Sequence, residues 1–152
     1  MSGLLCFSSE SFATSSHVAK DDEQETVLVT TVNNSHHYIA NIQMDGDGIG
    51  IGVYPGYVEV PMCCVSAKKD WSRPVRIYFQ WEAEFSQDKG GMLFKPDSED
   101  MIVANFQENK LDVLKKLKEE KIKPVICVIF RDVDKVDLDF GRSSEDCEKR
   151  SK

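Results

Sequence analysis

The sequence predicts an all-β sandwich with one short helix before its last strand, and three observations carry that prediction. In residues 75–85, Val75, Ile77, Phe79 and Trp81 alternate with Arg76, Tyr78, Gln80 and Glu82. This is the two-residue period of a sheet with one buried and one wetted face. Residues 125–130, Val-Ile-Cys-Val-Ile-Phe, are apolar without interruption, as in a central strand covered on both faces. The other apolar stretches are short and separated by Gly, Asn and Asp, and only one segment has helical spacing, a pattern that favours a sandwich.

The remaining elements follow in chain order. Residues 26–32 are rich in β-branched residues and end at Asn33-Asn34-Ser35, a strand closed by turn formers. In residues 37–43, Tyr38, Ala40 and Ile42 alternate with His37, Ile39 and Asn41, which predicts a second strand with those two faces. Asp45-Gly46-Asp47-Gly48 is a turn by composition, and Ile49, Ile51 and Val53 then alternate with glycine. Residues 57–67 give another apolar run, with Val58, Val60 and Met62 on one parity. Gly90-Gly91 suggests a hairpin turn into Met92-Leu93-Phe94. The helix is expected to be capped by Asn109, to bury Leu111, Val113, Leu114 and Leu117, and to end before Pro124. Residues 1–24 are Ser-rich with an acidic run and read as a disordered tail. Residues 25–140 form the single domain, and residues 141–152 read as a second, charged tail.

Bulk properties narrow the function. The formal net charge of −7 over 152 residues opposes direct nucleic-acid binding, which needs a basic face to displace counterions, and unaided docking on an anionic membrane. No run approaches the length needed to span a bilayer, and residues 1–6 lack the basic and apolar regions of a secretory signal. Cys6, Cys63, Cys64, Cys127 and Cys147 are odd in number and without framework spacing, which suits reduced thiols and a cytoplasmic location.

The middle of the chain resembles the major sperm protein domain, which VAP-type membrane-contact adaptors share. The residues that carry this are Val32-Asn33-Asn34-Ser35, the strand at 38–43, and Gly50-Ile51-Gly52-Val53-Tyr54-Pro55-Gly56-Tyr57-Val58-Glu59-Val60-Pro61. The resemblance runs over roughly residues 29–130. It implies an immunoglobulin-like β-sandwich of seven strands that binds proteins and carries no catalysis, by self-assembly or by gripping acidic FFAT-like peptides on a basic face. Arg76 matches a basic residue of that face, whereas Gln43, Met44 and Asp45 stand where the family has lysines and threonines. An acidic loop there repels an acidic peptide.

Other candidate chemistry lacks partners. Asp45 and Asp47 have no third ligand or closing Glu at the spacing of a calcium loop, Glu59 falling at the wrong distance, so a polar turn is expected there. Adjacent residues on a strand point to opposite faces, so neither His36-His37 nor Cys63-Cys64 supplies two ligands to one metal. No Lys or Arg between residues 36 and 67 activates a cysteine. Gly46, Gly48, Gly50 and Gly52 lead into strand, not into a helix N-terminus, and leave a flat strip that can receive a partner's aromatic residue. Lys68, Lys69, Arg73 and Arg76 around Trp71 form the local basic cluster and the predicted partner-binding residues. The competing reading is a solvated loop whose Trp71 covers the open end of the sandwich.

The expected function is a non-catalytic protein-protein interaction module acting in assembly or as an adaptor, with no cofactor and no metal. Its partner is another protein or a second copy, with residues 27–32 as a possible pairing edge. One alternative is an inert scaffolding subunit of a multi-chain enzyme complex. The other is a small metal-dependent hydrolase or nuclease built on Glu82, Glu84 and Asp88.

Overall fold

The computed structural model describes residues 26–82 and 99–152. Among the described residues eight strands and two helices run in the order β1 (Thr26–Asn33), β2 (Ile39–Met44), β3 (Asp47–Val53), β4 (Met62–Ser66), β5 (Val75–Trp81), β6 (Glu99–Ala104), α1 (Glu108–Glu119), β7 (Val125–Asp132), β8 (Lys135–Gly141) and α2 (Ser144–Arg150). They form two four-stranded sheets, ordered β4-β1-β7-β8 and β3-β2-β5-β6. All neighbours are antiparallel except β1 and β7, which run parallel with Val29 opposite Ile126. No helix among the described residues is long and apolar enough to cross a membrane.

The core lies between the sheets. Val75, Ile77 and Phe79 of β5 and Ile126, Val128 and Phe130 of β7 are buried in one cluster, and the Phe79 and Phe130 rings meet edge-on at 4.9 Å. Val125, Cys127 and Ile129 of β7 face the other way, into a smaller cluster with Val32, Val58 and Cys147. The unbroken apolar run of β7 is thus explained by two covered faces. Leu114 and Leu117 bury one stripe of α1, each worth about 1.5–3 kcal/mol of burial.

Several expectations need correction. In β2 the core takes both Ile39 and Ile42, not Tyr38, Ala40 and Ile42 as one face. Asn41 has φ 48°, and the register against β5 shifts between Ala40 and Gln43; an inserted residue of this kind reverses the parity of a strand. Asn109 does not cap α1, which begins after Gln107 with no side-chain cap. The helix precedes β7, and β7 is not the last strand, since β8 and α2 follow. Residues 141–152 are therefore not a tail. Ser143 caps α2 by accepting the Asp146 N–H, and Cys147 is disulfide-bonded to Cys127 with their Cα atoms 5.3 Å apart. This bond replaces the reduced thiols expected at those positions. β1 lies between β4 and β7 and offers no free pairing edge. Residues 1–24, Cys6 and the strand expected at Met92-Leu93-Phe94 lie outside the described residues.

Candidate interaction surface

The turn at Asp45-Gly46 joins β2 to β3 with both residues at positive φ, 50° and 93°, the geometry of a tight two-residue hairpin. Its carboxylates are occupied. Asp45 Oδ1 accepts the Arg76 N–H at 2.8 Å, and Lys69 Nζ lies 3.2 Å from Asp45 Oδ2 and 3.8 Å from Asp47 Oδ2. The acidic loop is the polar hairpin turn expected and, beyond that expectation, a clasp on the start of β5.

That clasp engages two members of the predicted basic cluster, Lys69 and Arg76. Lys69 is drawn to the hairpin, whereas Arg73 lies 3.5 Å from Asp70 on the exposed loop. Asp70 also accepts the Ser72 hydroxyl and N–H, which hold its carboxyl below the usual range with help from Arg73. Lys68 is exposed, and Arg76 is exposed on the outer face of β5. Trp71 points inward. It is buried, edge-on to Phe106 at 5.6 Å and to Phe140 at 6.1 Å, while Phe106 and Phe140 stack at 4.3 Å. Trp71 closes the end of the sandwich and is not an exposed anchor among the four basic residues.

Beside Trp71 the closure leaves a cleft of about 690 Å³. Its apolar wall is Val27, Ala67, Trp71, Leu114 and Ile122, and Lys118, Lys121 and Lys123 stand at its rim. The three lysines are exposed and make no ion pair among the described residues. Lys121 takes φ 58° as α1 ends, and the Ile122 N–H bonds back to the Leu117 carbonyl at 2.9 Å. This chain reversal turns Ile122 inward beside Leu114 and sets Lys121 and Lys123 on the lip. The helical spacing of residues 111–117 by itself assigns these lysines no role beyond a solvated face. The missing signal was the reversal, which brings residues 121–123 over the ends of β1 and β4.

The glycine strip of β3 is covered from within the chain at Gly50 and Gly52 and, among the described residues, open at Gly48. A Cβ on Gly52 would collide with the Tyr38 hydroxyl, and one on Gly50 would press on Glu59 and Ile42. Tyr38, Tyr54 and Tyr57 form a chain of ring contacts at 5.0 and 6.2 Å. Glu59 Oε1 accepts the Ile51 N–H at 3.0 Å. Burial pushes the Glu59 carboxyl up, against the lowering pull of the Ile51 and Gly52 N–H groups. The Tyr38 hydroxyl is raised by burial and by Tyr54, Glu59 and Glu82.

A charged network ties the opposite region together. Lys110 Nζ and Arg150 Nη1 lie 2.9 and 3.7 Å from the buried carboxylate of Asp139, linking α1, β8 and α2. Arg131 pairs with Asp137 at 2.8 Å and bonds to the Ser151 carbonyl. Cys63 is exposed and Cys64 half-buried on β4. Among the described residues no group of three or more His, Cys, Asp or Glu side chains could hold a metal ion. Glu82 is buried at the end of β5, where its N–H bonds to the Tyr38 carbonyl at 3.1 Å. Glu84 and Asp88 lie outside the described residues. No family model, curated protein or solved structure matches the chain.

Proposed function

We propose that this chain is a non-catalytic interaction module whose lysine-rimmed cleft takes an acidic protein segment carrying one bulky apolar side chain. The observation that carries this reading is the pairing of an apolar wall at Trp71, Leu114 and Ile122 with the exposed cations Lys118, Lys121 and Lys123, which make no ion pair among the described residues. An apolar pocket with a few charges at its lip binds through burial and selects through charge. An adaptor or assembly role, or a place as an inert subunit of a larger complex, uses the same cleft. The parallel β1–β7 pair supports an immunoglobulin-like reading of major sperm protein type. The buried turn at Asn33, whose side chain bonds to the His37 and Val53 carbonyls, supports it too. The cytoplasmic placement expected from the cysteines belongs with a reduced Cys127–Cys147 pair, and the bonded pair favours an oxidising compartment.

The test is titration of the isotope-labelled protein with peptides in which Asp and Glu flank a single Leu or Phe, followed by amide shift mapping. Shifts confined to residues around Ala67, Leu114 and Ile122 are expected, with affinity reduced about tenfold or more when all three lysines become glutamate. Absence of such shifts, or shifts unchanged in the triple variant, removes the cleft from the function.

A further inference from the structure

Thr26 and Val27, at the start of β1, line the cleft beside Trp71. The five residues before them are Asp21-Asp22-Glu23-Gln24-Glu25, four carboxylates in five positions. The peptide chain keeps all five within about 18 Å of Thr26. β1 and β7 run parallel with Leu28 opposite Val125, so Thr26 is level with Lys123. The same register carried back one step sets Glu25 level with Ile122. The lip of the cleft there holds Lys118, Lys121 and Lys123, which are exposed and make no ion pair among the described residues. Charge, tether and direction together bring the acidic run to the basic lip.

We propose that residues 21–25 lie across the lip of the cleft in the same chain, their carboxylates against Lys118, Lys121 and Lys123, as a strap that an outside ligand must displace. This inference rests on the reading of the cleft as a site for acidic segments. A short tether gives the run an effective concentration on the order of a millimolar, so even a weak contact is populated. The run contains no apolar side chain. It therefore neutralises the lip but leaves the wall at Trp71, Leu114 and Ile122 unfilled. A ligand that adds a bulky apolar group to its carboxylates gains burial that the strap lacks, and displaces it. A ligand that is merely acidic offers nothing the strap does not already supply in cis, and is turned away.

Carbodiimide joins a carboxylate directly to a lysine amine when the two are in contact. Treating an equal mixture of isotope-labelled and unlabelled whole chain should give amide links from residues 21–25 to Lys118, Lys121 or Lys123, each within chains of a single isotope. Asp21→Asn, Asp22→Asn, Glu23→Gln and Glu25→Gln together should move the amide signals of Ala67, Leu114 and Ile122 with no ligand present. The same strap variant should bind a peptide with Asp and Glu flanking one Leu or Phe about fivefold more tightly than wild type, as release of a cover closed about four-fifths of the time requires. Glu99→Gln, Asp100→Asn, Asp132→Asn and Asp134→Asn change the net charge equally, at exposed positions on the start of β6 and the β7–β8 turn. That control should tighten binding by no more than about twofold. Absence of the links, or links that join the two isotopes as often as they stay within one, would overturn the strap. A peptide that binds at the cleft equally well in wild type and strap variant overturns the strap and leaves the cleft's function standing. Links within single chains, with a peptide that binds neither protein, sustain the strap and remove the cleft's role in taking outside segments.

Discussion

Glu59 is where one side chain has the clearest measurable consequence. Burial raises its carboxyl above the ordinary value, so the folded state holds the proton more tightly than the unfolded chain does. The stability linked to this group is complete below the unfolded pKa and is lost as pH rises through the higher folded value. Glu59→Gln cannot titrate but keeps an amide oxygen to accept the Ile51 N–H. Urea unfolding across the weakly acid range should therefore show wild-type stability falling with rising pH by more than that of the variant. Parallel curves would place the pH dependence elsewhere. Other residues were legible at this scale for simple reasons. Trp71 lies in a short polar loop, where a large aromatic has little to do but cover an end. The glycine strip was expected to receive a partner's residue, and nothing in a period-two pattern says that Tyr38 of the same chain packs on it at Gly52.

The elements that the sequence disclosed are those with the strongest patterns. Burial in β5 follows parity from Val75 to Phe79 and departs from it at Trp81, half-buried, and Glu82, buried against expectation. β7 is buried on both faces, as its unbroken apolar run predicts. β2 was found as a strand but with the wrong faces, since a single left-handed residue, Asn41, inverts the pattern without changing the composition. β8 and α2 were hidden for a different reason. β8 carries Lys135, Asp137 and Asp139, and its two carboxylates are paired with Arg131 and Lys110 only in the folded molecule. α2 has seven residues, too few to be stable as an isolated helix, and buries only Cys147. Its position depends on the Cys127–Cys147 bond and on Asp146. Burial alone would raise Asp146, but the Arg142 N–H and the Arg150 guanidinium outweigh it and hold it low. Replacing both cysteines with serine should cost about 2–4 kcal/mol in non-reducing denaturant melts. The loss should be accompanied by faster amide exchange in residues 144–151 than elsewhere. Acid should add to the effect, because the stabilisation from a depressed carboxyl is present above its unfolded pKa and lost as pH falls through the folded one. Uniform acceleration of exchange throughout both sheets would instead mean that the bond supports the whole sandwich.

At the scale of the whole molecule, a net charge of −7 surrounds a cleft whose lip is positive, and the two act on an acidic ligand over different distances. The lysines act at contact, whereas the excess carboxylates are spread over the surface and act mainly at long range. The screening length is about 8 Å at physiological salt and longer in dilute buffer. Adding salt therefore removes the distant repulsion first and the close attraction later. In the wild type, affinity for an acidic peptide should change little between about 0.02 and 0.1 M salt and fall steeply above that. With Lys118, Lys121 and Lys123 changed to glutamine, only the repulsion is left, and the residual affinity should rise with salt over the whole range. Fluorescence anisotropy of a labelled peptide, measured for both proteins across the same salt series, reads the two slopes directly. Slopes of the same sign would mean that the three lysines do not set the electrostatics of the cleft and that recognition there is by apolar burial alone.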